Sequence, residues 1–131
     1  DQEEHTFTYA LYPHAEGWRQ ANTVQEAMKL NQPLLSEEGG HAGCQNNFVW
    51  VDKSNVIIET VKMAEDDDGI IVRLYESENA KTKAHIFFGE KISSVESCNC
   101  LEEIKQTIET DGEGFEITVK PYEIQTYRVR F

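Results

Sequence analysis

The sequence predicts a mainly β chain, an antiparallel β-sandwich with one or two short helices. Three observations predict it. Apolar and polar residues alternate with a period of two through most of the chain, turn signals punctuate it at regular intervals, and an Asp-Gly pair marks one tight hairpin. About seven short strands spaced in this way bury their apolar faces as two packed sheets.

In chain order, Thr6–Tyr12 reads as a first strand. Thr23-Val24-Gln25-Glu26 fits a capping box, in which the Thr hydroxyl and the Glu carboxylate reciprocally satisfy backbone N–H groups. The helix it opens runs to about Leu30, burying Val24, Ala27 and Met28, and Pro33 forbids a long continuation. Ser36 to Asn47 has three glycines and no apolar periodicity, so it reads as a loop. Phe48–Val51 is the next strand, with Trp50 expected in the sandwich interior. Val56–Ala64 and Gly69–Glu76 form a hairpin around Glu65-Asp66-Asp67-Asp68-Gly69, whose Asp-Gly supplies the positive φ of a tight turn. In its second strand Ile70, Val72 and Leu74 share one face, and Ile71, Arg73 and Tyr75 the other.

Ala84–Phe88 and Ile92–Glu96 continue the strand pattern. After Asn99, Leu101, Ile104 and Ile108 fall on one helical stripe with Glu102 at a capping position; the same stretch also reads as a loop edging into a strand. Gly114–Lys120 is the clearest strand, with Phe115, Ile117 and Val119 inward and Glu116, Thr118 and Lys120 in water. Pro121 ends it. Tyr122–Phe131 closes the chain, and a change of apolar parity between Ile124 and Tyr127 predicts a bulge near Gln125 and Thr126.

Charge and composition exclude several functions. Twelve Lys and Arg against 24 Asp and Glu leave a net charge of −12, which does not suit a phosphate backbone or an anionic membrane surface. The 39% hydrophobic content over 131 residues is enough for one core. Three cysteines, Cys44, Cys98 and Cys100, make an odd and sparse set, which points to free thiols in a reducing compartment. No signal peptide is visible, and a start at Asp1-Gln2-Glu3-Glu4 without Met reads as an excised piece.

The motifs carry little chemistry. His41, Cys44, Cys98 and Cys100 are four donors of the types zinc accepts. However, Cys98-x-Cys100 in a strand sends its thiols to opposite faces, so ordinary thiols and a loop histidine are the better reading, and no metal site is assigned. Asp66-Asp67-Asp68 lacks the ligand spacing of a calcium loop and reads as a solvated turn. His5, His14, His41 and His85 sit beside no nucleophile elbow, and Gly39-Gly40 opens no phosphate loop, so no catalytic or cofactor-binding residue is assigned. Trp18 and Trp50 with the five tyrosines offer flat faces on which a sugar ring could stack. Trp50 reads as an interior residue, so Trp18, after Gly17 in a turn, is the better candidate, with packing against the following helix as its ordinary reading.

Longer strings carry a resemblance. Phe7-Thr8-Tyr9-Ala10-Leu11-Tyr12-Pro13-His14, Gly17-Trp18 and Asn31-Gln32-Pro33-Leu34 resemble the entry into the C-terminal β-domain of the glycoside hydrolase family 38 α-mannosidases. Asn55-Val56-Ile57-Ile58-Glu59-Thr60-Val61-Lys62 with Gly69-Ile70-Ile71-Val72-Arg73-Leu74-Tyr75-Glu76 is similar to that domain's central hairpin. Lys120-Pro121-Tyr122-Glu123-Ile124-Gln125-Thr126 resembles its closing strands. The matches run through nearly the whole chain in order and are nearest to the cytosolic and bacterial branch. Gly39–Asn47 and Ser97–Thr110 depart from the pattern.

The resemblance implies a parent enzyme that hydrolyses terminal α-mannosides with retention, through an aspartate nucleophile, a second carboxylate and a zinc ion held by His and Asp. None of those segments lies in these residues, so no catalytic residue or zinc ligand is carried onto any position. It implies that residues 1–131 form a single non-catalytic C-terminal β-sandwich of a cytoplasmic multidomain enzyme, with the catalytic domain as its partner. Two other roles stand beside this one: a free-standing carbohydrate-binding module using Trp18 or an exposed tyrosine, and a subunit-contact domain in a homo-oligomeric parent.

Overall fold

The computed structural model describes residues 2–36 and 47–131, and its contacts divide the chain into two units, 1–38 and 39–131.

The larger unit holds eight strands among the described residues: β1 (Val49–Val51), β2 (Val56–Met63), β3 (Ile70–Glu76), β4 (Thr82–Phe88), β5 (Ser94–Cys98), β6 (Ile104–Ile108), β7 (Gly114–Val119) and β8 (Ile124–Arg130). They form a three-stranded sheet, β1-β4-β7, and a five-stranded sheet, β2-β3-β8-β5-β6, with every pairing antiparallel. Ile86, Phe88, Phe115, Ile117 and Val119 from the first sheet meet Val56, Val72, Leu74, Val95, Tyr127 and Val129 from the second in one core. Each such side chain contributes about 1.5–3 kcal/mol of transfer free energy, so this shared layer is what makes the unit a sandwich.

The period-two readings hold where one face of a strand is wet. Phe115, Ile117 and Val119 are buried and Glu116, Thr118 and Lys120 exposed; Val72 and Leu74 point into the core. The Asp66–Gly69 turn forms as expected, with Asp67 at φ 58° and Gly69 at φ 102°. A Cβ on Gly69 would lie 2.7 Å from the Val129 carbonyl oxygen, so glycine is required there for both conformation and space.

Three expectations are corrected and one open reading is decided. The closing strand has no bulge: β8 pairs with β3 in unbroken register from Tyr75↔Ile124 to Ile70↔Val129. Its parity changes because it is the central strand and is covered on both faces, so Thr126, Tyr127, Arg128 and Val129 are all buried. The register shifts lie instead between Ile58 and Thr60 in β2 and between Ser97 and Cys98 in β5. Of the two readings of the stretch after Asn99, the loop edging into a strand forms and the helix does not. Asn99 Oδ1 accepts from the N–H groups of Leu101 at 2.9 Å and Glu103 at 3.0 Å, closing a turn that launches β6. Trp50, expected inside, points outward, because Val49 and Val51 take the inward positions of β1.

The third correction concerns the smaller unit, where Thr6–Tyr12 forms no strand. A strand needs a neighbour for its backbone groups, and among the described residues of that unit there is none. Its helix α1 (Thr23–Asn31) runs close to the expected span, but without the capping box. Asn22, at φ 52°, is the N-cap and its side chain makes no cap bond; Lys29 takes the Glu26 carboxylate at 2.6 Å and Thr23 Oγ1 has no partner. The helix buries no residue fully, and Ala27 is exposed.

Candidate functional site

Two sheet faces of the larger unit gather chemistry. On the outer face of the three-stranded sheet, Trp50 of β1 stands directly across from Phe87 of β4, and their rings stack at 5.4 Å and 12°. Phe87 also stacks on His85, two residues along the same strand, at 4.2 Å. The result is a column Trp50–Phe87–His85 that crosses from β1 to β4 and continues along β4. Gly114 makes room for it: a Cβ there would lie 2.6 Å from His85 Nε2 and 2.1 Å from the Ile86 carbonyl oxygen.

Two clefts flank the column. One, of about 420 Å³, runs beside Trp50 and Phe87 and is walled by Glu90, Lys91 and the turn Asp111–Glu113. Its walls are tied down by backbone bonds: Gly89 to Phe48 at 3.0 Å, Phe88 to Glu113 at 2.9 Å and Ile92 to Gly112 at 2.9 Å. The second, of about 540 Å³, lies beside His85, Thr110, Asp111 and Glu116. Asp111 stands between the two. Its Oδ1 accepts from the N–H groups of Glu113 and Gly114, which hold its carboxyl below the usual aspartate range, and its Oδ2 lies 3.8 Å from His85 Nε2.

The outer face of the five-stranded sheet carries an ionic layer. Arg128 of β8, with only 6% of its side chain exposed, reaches Asp66 at 2.7 Å and Glu102 at 4.0 Å. Arg130 bonds Asp68 at 2.8 Å and Glu96 at 2.6 Å. Glu102, bent inward at φ 66°, accepts from the Glu65 N–H at 2.8 Å and from Lys62 at 2.9 Å. Those contacts, the Glu65 N–H foremost, hold its carboxyl below the usual glutamate range. This layer covers a small cluster of Ala64, Ile71 and Cys98, and every charge in it faces an opposite one, so it fastens loops to the sheet.

The residues singled out in the sequence are not brought together. His41, Cys44 and Gly39-Gly40 lie outside the described residues. Cys98 is buried, which pushes its thiol above the usual range, and Cys100 is exposed. Among the described residues no three His, Cys, Asp or Glu side chains gather as a metal site: His85 has Asp111 alone, and Cys98 sits between Ala64 and Ile71. Asp66 and Asp68 of the expected solvated turn take part in the ionic layer. Trp18 is 41% exposed, with the Arg19 guanidinium 4.6 Å above its ring. Sequence reading missed the aromatic column, although Trp50, Phe87 and His85 all occupy positions opposite in parity to inward-facing neighbours.

The described residues also leave large apolar side chains in solvent. In the smaller unit Phe7 is 79%, Tyr9 83%, Leu11 90%, Leu34 100% and Leu35 97% exposed. None of its helices, nor any helix elsewhere in the described residues, is long and apolar enough to cross a membrane.

Comparison with known proteins places this geometry. The model of the glycosyl hydrolases family 38 C-terminal beta sandwich domain matches residues 55–127, from the start of β2 into β8. The chain is 29% identical over 136 aligned positions to Alpha-mannosidase G of Dictyostelium discoideum, an alignment covering 98% of this chain and 12% of that protein. It is 26% identical to Alpha-mannosidase 2C1 of Mus musculus, over 96% of this chain and 13% of that protein. To Alpha-mannosidase 2C1 of Homo sapiens it is 30% identical, over 78% of this chain and 10% of that protein. The chain therefore spans about an eighth or less of the length of these curated relatives.

Proposed function

Since this chain belongs to the glycosyl hydrolases family 38 C-terminal beta sandwich domains, we propose that it acts as a non-catalytic part of a larger α-mannosidase polypeptide, packing against the catalytic remainder and supporting it. The observation that carries this reading is the exposure of Phe7, Tyr9, Leu11, Leu34 and Leu35. Single exposed apolar residues are ordinary, but five in one 38-residue unit, each more than three-quarters exposed, are what a surface meant for burial presents. Phe7, Tyr9 and Leu11 also keep strand alternation, so they fit a role as a strand completed by a neighbouring sheet.

In this reading the parent hydrolyses α-mannosides with retention, and the zinc ion expected there is held by residues outside this chain. The donor sets described above do not fit zinc, and no step of the hydrolysis is assigned to a residue here. The sparse cysteines favour a cytoplasmic setting for the parent.

Hydrogen exchange tests the packing. The native protein, purified from source cells with antiserum to this chain, is compared with the 131-residue chain alone. The expected result is a much heavier polypeptide in which residues 7–11 and 34–35 exchange slowly, against fast exchange in the chain alone. A native protein of the chain's own size, or equally fast exchange in both, overturns the reading.

A further inference from the structure

The geometry points to a binding site for a neutral pyranose sugar in the cleft beside Trp50 and Phe87, a site on the β-sandwich itself. Three observations carry it. First, Trp50 ends the aromatic column. One indole face lies against Phe87, but β1 is the edge strand of its sheet, so among the described residues no strand stands beyond the other face, and the residue is 38% exposed. A flat, fixed aromatic surface open on one side suits the C–H face of a sugar ring, and its partner ring holds it in place at little entropic cost.

Second, the walls of the cleft carry polar groups of both signs. Among the described residues the side chains of Glu90, Lys91 and Glu113 make no hydrogen bond or ion pair, and all three residues are exposed. Asp111 adds a carboxylate already oriented by the Glu113 and Gly114 N–H groups. An ammonium donates and carboxylates accept, which is the pairing that vicinal hydroxyls satisfy, since each hydroxyl does both. Three carboxylates repel an anion. A donor set beside acceptors around an aromatic face is what a polyol uses in full, whereas a simple cation uses only the acceptors. A neutral polyol is therefore the class the mixed set favours, and a cation is the competing one.

Third, the cleft is built from fixed backbone. The bonds from Gly89 to Phe48, Phe88 to Glu113 and Ile92 to Gly112 hold both walls to the sheet, so polar groups and aromatic surface are already in place. Trp18, the residue that sequence alone favours for a sugar, has the Arg19 guanidinium over its ring instead.

The test is an NMR titration of the 131-residue chain with methyl α-mannopyranoside, methyl α-glucopyranoside and methyl β-galactopyranoside, with tetramethylammonium chloride as a separate arm. The expected result is saturable millimolar binding of at least one glycoside, read as shifts of the Trp50 indole N–H and the Gly89 and Gly112 amides. Trp50→Ala is expected to weaken it by about tenfold or more. Lys91→Ala and Glu113→Gln, at exposed positions that leave the fold intact, are expected to weaken it severalfold, and Trp18→Phe to leave it unchanged. Flat titrations with all three glycosides overturn the inference, as do shifts confined to Trp18 or a response to tetramethylammonium alone. The packing reading is tested by exchange at residues 7–11 and 34–35, so either proposal can fail without the other.

Discussion

Asp66 Oδ2 lies 2.7 Å from Arg128 Nη1, so a residue of the β2–β3 turn is fastened to the central strand of the larger sheet. The turn is four residues of charge and glycine, and local sequence explains its shape but not its anchorage. Arg128 supplies that, and it also faces Glu102, bent inward from the β5–β6 connection. One guanidinium thus ties two loops to the face they cover.

Arg128→Met is expected to destabilise the chain by about 3 kcal/mol, because it leaves Glu102 buried with Lys62 as its one remaining cation. Asp66→Asn is expected to cost much less, since the Asp66 side chain is more than half exposed and water replaces the lost partner. Urea unfolding of the two variants measures the difference. Equal losses would mean that the turn, and not Glu102, is what Arg128 secures.

Glu76 is fully buried at the end of β3 and accepts from the Tyr122 N–H at 3.1 Å, the Glu78 N–H at 2.7 Å and the Asn55 amide at 2.9 Å. Burial by itself pushes the carboxyl upward, but these donors together hold it below the ordinary glutamate value of 4.5. A carboxyl whose folded pKa lies below its unfolded one favours folding when ionised. Its contribution is therefore complete above the ordinary carboxylate range and fades as pH falls through the depressed folded value. Asp66, Asp68, Asp111 and Glu102 are shifted the same way, so stability is expected to fall on acidification. Melting temperatures from neutral pH down to about pH 3 check this, and Glu76→Gln is expected to melt lower at neutral pH and to show a shallower acid decline.

Gly114→Ala is expected to be among the most damaging single-methyl changes. The added Cβ would sit 2.1 Å from the Ile86 carbonyl oxygen, which is backbone and cannot swing aside. Separation of β4 from β7 at that point would disturb the His85 and Phe87 rings as well as the sheet. A loss of several kcal/mol is expected, with changed aromatic chemical shifts for His85 and Phe87. A variant with wild-type stability would show that the two strands are further apart than the register Phe87↔Gly114 requires.

Thiol labelling separates the two described cysteines. Cys98 is 5% exposed and burial raises its thiol pKa, so few of its thiols ionise at neutral pH, whereas Cys100 is exposed. Peptide mapping after a brief treatment with iodoacetamide is expected to find Cys100 modified and Cys98 intact. Asn99→Ala removes the acceptor that closes the turn over this face and is expected to speed Cys98 labelling at least tenfold, the mark of easier local opening. Unchanged Cys98 labelling would show that Arg128 and Glu102 alone protect it.

Legibility in the sequence followed exposure. Where one face of a strand meets water, as in Gly114–Val119, alternation gave the strand, its inward residues and its sheet face. Where both faces are covered, as in β8, the same rule read a change of parity as a bulge. Leu101–Ile108 admits two readings: three apolar residues fall on a helical stripe, but the Asn99 side chain captures two N–H groups that a helix would need, so the loop edging into a strand is what forms, as β6. Thr6–Tyr12 has strand alternation and, among the described residues of its unit, no strand to pair with. The aromatic column was invisible because Trp50 lies 37 residues from Phe87 in sequence and meets it only through the register Trp50↔Phe87.

By itself the sequence determined the fold class, the hairpin at Asp66–Gly69, the inward residues of the half-wet strand Gly114–Val119 and the resemblance to the family 38 C-terminal domain, because periodicity, positive-φ turns and matched strings are properties of neighbouring residues. Only the tertiary structure decided that Trp50 faces outward, that Asp66 and Asp68 are partnered, and that Glu90, Lys91 and Glu113 line one cleft. Those facts depend on strand register and sheet order, which join residues far apart in the chain through backbone hydrogen bonds and burial, and no local pattern of residue types encodes them.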